Sequence, residues 1–419
     1  MRTLGAVALL TQYRNIIKNR MYFSLWLGQL VSNFGDTLNY VALVVLVYQL
    51  TASGLAVSLM VALEIIPILL LAPVAGVIID RFPRKAILIA SDLVRAALVL
   101  LLAVANSSWQ VYAIVALFTA ASVFFNPTVQ AVIPSIVEKE LLLAANSVSW
   151  TTGRLVQIIA AALAGGLIAV IGTAPAFALN ALSFIFSALM IGRLSIPAHA
   201  GALDRSSKRG LEGWLNDARD GLRYVRRDSF VSRLLVVQAL ASLSVGATGA
   251  LLVVLAERHL RLPPEGFAWL LMAIGAGALL GPILLGSFAR NYRDIRLLFV
   301  PYIIRGAGDI LIAVVTPPTV ALLILFIYGL NTSTGMVVYN SLMQSEVPTE
   351  VRGRVYTLMD LTWNLMRLVS LGLGGIMAEQ FGIQVVYYIG GAMLAASGLL
   401  GLLLLKGHTF KSAESMTRT

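Results

Sequence analysis

An all-α polytopic membrane protein, with twelve transmembrane helices in two six-helix halves, is the fold that three observations predict. Of 419 residues, 58% are apolar and only 12% are charged, with a mean hydropathy of +0.86, whereas soluble domains carry about 25% charged residues. The apolar residues gather into runs of the length a helix needs, about 20 residues, to cross about 30 Å of hydrocarbon. The run GVIIDRFPRK, beginning at Gly76, returns in weakened form as GSFARNYRDIR at Gly286, 210 residues later, which implies a duplicated chain.

Charge clusters bound each span in turn. A basic lead, 1–21, carries Arg2, Arg14, Lys18 and Arg20, and the apolar stretch after it is too long for a cleaved signal, so 22–50 reads as the first permanent span. Span two, 55–79, ends at the turn holding Arg81, Arg84 and Lys85, and span three, 86–105, follows at once. Span four, 109–137, stops before Lys139 and Glu140; spans five and six cover 141–171 and 175–194. The second set reads 232–256, 266–288, 296–315, 319–342, 355–379 and 384–404. The domain division that follows is a cytoplasmic segment 1–21, a first half 22–197, a linker 198–231, a second half 232–405 and a tail 406–419. Within the linker, Leu211, Trp214, Leu215, Ala218, Leu222 and Val225 recur at helical spacing opposite Arg219, Asp220, Arg223 and Arg227. An amphipathic helix lying along the cytoplasmic interface is expected there, either as a strap between moving halves or as a solvated connector.

Basic residues orient the chain, because they are retained on the cytoplasmic side. All but six of the 31 Lys and Arg fall in the termini, the linker and the connections on their side of the membrane. Arg258 and Arg261 fall on the opposite side, and Arg95, Arg154, Arg305 and Arg367 lie inside spans. Both termini and the linker are therefore expected in the cytoplasm, and the net charge of +11 reads as a topology signal, with no nucleic-acid partner. The lipid bilayer is the surrounding partner. Cys is absent and His occurs three times, which excludes disulfides and thiolate metal sites and leaves no metal or other cofactor expected. There is no Walker A pattern, so an ATP-driven pump in one chain is not expected.

The 210-residue register extends beyond the opening run. Arg95 maps to Arg305, Gln130 to Asn340, Ser135 to Ser345, Glu140 to Glu350, Gly165 to Gly375 and Gly172 to Gly382. Parallel six-helix repeats describe one class of secondary transporter, with substrate bound near midplane. In the run itself, Gly76, Asp80, Arg81, Arg84 and Lys85 each fall on a position of motif A of the major facilitator superfamily, which the chain resembles over nearly its whole length. FGDTLNYVAL at Phe34, DRFPRKAILIASDLVRA at Asp80, EGWLNDARDGLRYVRRD at Glu212 and VPTEVRGRVYTLMD at Val347 resemble the bacterial branch of enterobactin exporters, macrolide efflux proteins and transmembrane secretion effectors. Two family patterns are missing: span four has no motif B arginine, and span five has no Gly-Pro of the antiporter motif C. The resemblance implies a latch role for the motif A residues. Independently, Asp80 at a helix end suits the positive N-terminus of another helix, the candidate being span eleven, opened by Gly353 and Arg354. Its charge set is asymmetric: in the second copy Asp80, Arg81, Arg84 and Lys85 become Arg290, Asn291, Asp294 and Ile295.

Polar residues at helical spacing mark faces that must meet water or protein, since such a face against lipid costs several kcal/mol. Span one shows Gln29, Asn33, Asp36 and Tyr40; span four shows Thr119, Ser122, Asn126 and Gln130. Span seven shows Gln238 and Ser242 with Gly246 and Gly249; span ten shows Tyr328, Asn331, Gly335 and Tyr339. These four spans line the cavity in the family resembled; hydrogen bonding between helices is the other reading of each stripe. Asp36 lies mid-span, and Glu64 lies in the apolar run VALEIIPILL. Both are candidates for a proton or substrate-cation site, and Arg154 in span five is placed to hold either in a static ion pair instead. Asp360, Asn364 and Arg367 on span eleven form a weaker cluster. The pairs Asp92 with Arg95 and Arg305 with Asp309 are assigned to structure. So are the small residues of spans five and eight, including Gly275, Gly277 and Gly281. Pro67, Pro73, Pro127 and Pro282 are candidate kinks.

The function expected is secondary active transport by a monomer in a bacterial cytoplasmic membrane. Its substrate would be an amphiphilic small molecule such as a drug, macrolide or siderophore, exported against protons by alternating access. FGDT at Phe34 is also similar to lysophospholipid transporters of the same superfamily, so a lipid flippase is the alternative. A receptor or scaffold has no use for buried acids, and a membrane enzyme would need a nucleophile with its base or a metal cluster, neither of which is seen.

Overall fold

The computed structural model describes residues 14–195, 211–263, 266–288 and 294–406. Helices occupy all twelve expected spans, and among the described residues there is no strand. In chain order they are α1 (Arg20–Thr51), α2 (Gly54–Leu63), α3 (Ile66–Arg81), α4 (Arg84–Leu102), α5 (Ser108–Ser122), α6 (Phe125–Ile136), α7 (Leu142–Ile171) and α8 (Thr173–Gly192). The linker contributes α9 (Leu211–Arg227). Then come α10 (Ser229–Ala250), α11 (Gly266–Phe288), α12 (Arg296–Val314), α13 (Pro318–Glu346), α14 (Thr349–Phe381) and α15 (Ile383–Leu404). Ten spans pass a test of length and apolarity for crossing a membrane. Helix α4 is outside that set because Arg84, Lys85, Asp92 and Arg95 fall within its 19 residues.

Two spans are broken, and proline chemistry says where. A proline inside a helix lacks the N–H that the carbonyl four residues back would accept, and its ring crowds that carbonyl, at a cost of about 3 kcal/mol. Pro67 frees the carbonyl of Leu63, where α2 stops, and Pro127 frees that of Val123, one residue beyond the end of α5. The equivalents 210 residues on are Gly277 and Val337, and α11 and α13 run through them unbroken. Helices also continue through Pro73 and Pro282. The duplication is visible at single-residue connections as well. Gly172, with φ of 78°, joins α7 to α8, and Gly382, with φ of 88°, joins α14 to α15. Positive φ at both positions suits glycine, which pays no steric cost there.

The chain forms two compact units, Met1–Leu50 with Leu63–Gly213, and Thr51–Ala62 with Trp214–Thr419. Compared with halves of 22–197 and 232–405 joined by a linker, Thr51–Ala62 belongs with the second unit, and the linker divides between Gly213 and Trp214. Ser53 Oγ donates to Glu379 at 2.6 Å, and the Leu55 N–H reaches the same oxygen at 3.5 Å. A carboxylate at the start of α2 complements the partial positive charge of the helix N-terminus. Arg258 donates to the Ala52 carbonyl. The break at Glu64 and Ile65 lets this part of span two follow its partners rather than α3.

In the first unit α4 packs along α8 and α5. In the second, α11 packs on α13 and α12 on α15, both through small residues. A side-chain carbon at Gly277 would collide with the Phe326 carbonyl, and one at Gly329 with that of Ile274. Gly306 and Gly391 face each other in the same way. The packing role expected for Gly277 and Gly281 is therefore what the geometry shows. In the linker, Asp220 pairs with Arg223 at 2.8 Å and Arg354 at 3.6 Å, while Val225 is buried beside the start of α10. The side chains of Leu211, Trp214, Leu215 and Ala218 lie outside the described residues.

Candidate functional site

The polar face of α1 survives in three dimensions. Asn33 is exposed and Asp36 and Tyr40 are half-buried, while Ser32, Gly35, Leu38 and Ala42 on the other faces are buried. Gly35 decides what Asp36 meets. A Cβ at Gly35 would collide with Asn180 and Ser183, so α1 passes α8 at close range and sets the next residue, Asp36, beside Asn180. On the α7 side, Asn33 Nδ2 lies 3.7 Å from where a Cβ on Gly153 would stand.

Asp36 does not stand alone. Its charge environment is Arg95 and Asp92, both from α4, with Asn180 at hydrogen-bonding reach of its carboxyl group. Arg95 donates to Asp92 within α4, and the two residues are 4% and 0% exposed. The Arg95 guanidinium also sits 4.3 Å from the ring centroids of both Phe125 and Phe184, an arrangement that favours a cation held away from water. The pair Asp92 and Arg95 was legible as a structural pair from its spacing. The approach of Asp36 to Asn180 was not, although Asn180, the single amide side chain of span six, was a usable signal.

Among the other expected site residues, Asn126 and Gln130 are exposed on one face of α6, separated from Thr119 and Ser122 by the break at Val123 and Phe124. Glu64 is half-buried in the turn between α2 and α3. Arg154 lies on α7, and its side chain falls outside the described residues. Asn331 is half-buried and donates to the Ile327 carbonyl at 2.7 Å. Asp360 is exposed, with Asn364 donating to its backbone carbonyl at 2.9 Å.

The span-seven stripe meets helices of its own unit. Gln238 is buried, and its Oε1 accepts from the Tyr302 hydroxyl of α12 at 2.7 Å. Ser242 donates to the Trp363 carbonyl at 2.5 Å, and Gly246 lies against Ser370 of α14. In the same unit the Arg305 guanidinium stacks 4.1 Å from the Tyr328 ring centroid, close to buried Asp309.

The basic turn after α3 has a defined job. Arg84 donates to the Ala131 carbonyl of α6 at 2.8 Å, and Lys85 donates to the carbonyls of Gly192 and Leu194 at 2.7 and 2.8 Å. Lys85 thus neutralises the carbonyls that end α8, where cations are favoured. Gly76 and Arg81 are exposed, and the Asp80 side chain lies outside the described residues.

Twelve spans in two units related by one register, with polar faces on helices of the first unit, define a polytopic membrane transporter of the major facilitator fold. The chain belongs to the transmembrane secretion effector family of that superfamily, whose family model matches residues 15–418. It is 27% identical over 391 residues to the MFS-type transporter YfiS of Bacillus subtilis (strain 168), covering 90% of this chain and 91% of that one. It is 22% identical over 381 residues to macrolide efflux protein A of Streptococcus pyogenes, covering 89% and 93%. The crystal structure of the nucleoside transporter NupG superposes with a TM-score of 0.70 at 12% identity, covering 92% of this chain and 99% of that one. A likeness at that identity speaks for the fold alone.

Proposed function

We propose that this protein exports an amphiphilic small molecule across the bacterial cytoplasmic membrane in exchange for protons, by alternating access. The observation that carries the reading is Asp36, a half-buried carboxylate in a span, on the face of α1 that also presents Asn33 and Tyr40. A charged carboxylate in a span costs about 2.5 to 3.5 kcal/mol even on the lenient insertion scale, so its presence there calls for a function. Likeness to macrolide efflux protein A supports an amphiphilic drug-like substrate. In this reading Asn126, Gln130 and Asn331 contact substrate, Glu64 is a second proton carrier, and Asp80 latches the cytoplasmic side during the cycle. Export runs as a monomer with no cofactor.

The experiment is transport by purified protein in liposomes under an imposed pH gradient, with cationic drugs, a macrolide, a catecholate siderophore and a lysolipid. Gradient-driven movement of a drug or macrolide, reduced at least ten-fold by Asp36→Asn, is expected. Lysolipid movement indifferent to pH would instead make the protein a flippase. Coupling intact in both Asp36→Asn and Glu64→Gln would remove those acids from the mechanism.

A further inference from the structure

Helix α14 carries two exposed faces of opposite character. Leu365, Val369, Leu373 and Ile376 recur at helical spacing and are 44 to 55% exposed, an apolar stripe suited to lipid. On the other side of the helix Gly353, Thr357 and Asp360 are exposed, and half-buried Asn364 continues the row. A carboxylate turned to hydrocarbon is costly, so this second face meets water. Asp360 is thus an accessible charge within a span, and its carboxylate has no hydrogen-bond or ion-pair partner among the described residues.

Two phenol rings stand beside it. Tyr356 precedes Asp360 by four residues, the spacing that makes side chains neighbours on one helix face. Tyr339 of α13 meets Tyr356 edge to face, with ring centroids 6.4 Å apart and planes at 81°, an arrangement that leaves ring faces uncovered. Both tyrosines are half-buried. The Tyr356 hydroxyl is directed at Asn340 Oδ1 at 3.4 Å, whereas the Tyr339 hydroxyl has no hydrogen-bond partner among the described residues. Met336, 44% exposed, lies three residues before Tyr339 and four before Asn340, and so adds a flexible, polarisable thioether on the same side of α13.

The cations of α14 are placed elsewhere. Arg352 donates to the carbonyls of Gln344 at 2.8 Å and Val347 at 3.1 and 3.0 Å, and Arg354 pairs with Asp220. Arg367 stands seven residues beyond Asp360, about 10 Å along the helix. We propose that Tyr339, Tyr356 and Asp360 form a binding site for the cationic head of an amphiphilic substrate, contained within the second unit. The inference rests on the export reading for the existence of a substrate, and adds the charge of that substrate and the residues that hold it. A phenol face attracts a cation through its quadrupole, and the carboxylate one turn away supplies the countercharge. An organic cation suits the site better than a metal ion, which would need a shell of several oxygens around one carboxylate. No cluster of metal-ligating side chains occurs among the described residues.

The test is equilibrium binding of tritiated tetraphenylphosphonium to the purified protein in detergent, without a gradient. Triphenylphosphine oxide, aromatic and uncharged, serves as competitor. Saturable binding of one cation per protein is expected, weakened about ten-fold or more by Asp360→Asn and by Tyr339→Leu. Tyr339→Phe and Asp360→Glu should hold it within about three-fold, since each keeps the ring face or the charge. If Tyr339→Leu fails to fold, judged by gel filtration, Asp360→Asn at an exposed position decides together with Asp360→Glu. Unchanged affinity in Asp360→Asn overturns the proposal, as does equal competition by the uncharged oxide or the absence of saturable binding in the wild type. Loss of binding in Asp36→Asn with Asp360→Asn unaffected moves the cation to the first unit and overturns it too. Cation binding with these effects but no gradient-driven export in liposomes would sink the export reading and leave this site standing. Macrolide export without cation binding would do the reverse.

Discussion

Gln238 shows how one residue is read twice. From its spacing with Ser242 it belongs to a polar face, and polarity alone does not say whether water, substrate or a neighbouring helix receives it. The fold places Tyr302 2.7 Å from its amide oxygen and leaves it buried. Tyr302→Phe strips that partner and is expected to destabilise the protein by about 1 to 3 kcal/mol, the cost of an unsatisfied buried acceptor. Adding Gln238→Leu should recover most of the loss, since two apolar groups replace two polar ones. Thermal unfolding in detergent measures both steps, and a substrate profile unchanged in the double variant separates a packing role from contact with substrate. Asp36 was legible as an unusual residue because a charge mid-span is rare; its partners on α4 and α8 were not, because periodicity along one helix carries no information about which helix crosses it.

Among elements, the close contact of α11 with α13 makes the sharpest prediction. Gly277→Leu should abolish recovery of monodisperse protein on gel filtration, since the new side chain meets the Phe326 carbonyl and a backbone cannot step aside. Gly166→Leu on α7, with nothing within 4 Å of the added carbon, should be recovered at near wild-type yield. Spans were readable to within a few residues because hydrocarbon thickness dictates their length. Which prolines break a helix was not. Pro67 and Pro127 interrupt their spans while helices run through Pro73 and Pro282.

For the whole molecule, orientation follows from the distribution of Lys and Arg, and the chain is suited to test it because it contains no cysteine. Single-cysteine variants Ser206→Cys in the linker and Ser412→Cys in the tail are expected to resist a membrane-impermeant maleimide added outside intact cells. Ser107→Cys, between α4 and α5, should label. The reverse pattern would invert the topology and the direction of transport proposed. The register of 210 residues was equally legible, and the paired glycine connections Gly172 and Gly382 realise it in backbone geometry. What no charge count revealed is that Thr51–Ala62 belongs with the second unit, held by Glu379 and Arg258.

By itself, then, the sequence determined the solvent the chain lives in, the number and length of its helices, their expected orientation and their duplication, because each of these follows from local composition against a slab of fixed thickness. Tertiary structure alone decided which polar residues meet. It spent Gln238 and Ser242 on helix packing and Arg84 and Lys85 on the carbonyls of α6 and the end of α8, and it set Asp36 beside Asn180. The reason is that helix crossings are set by the shapes of two surfaces at once, here by a glycine at position 35 that lets α1 approach α8, and no single run of sequence contains both surfaces.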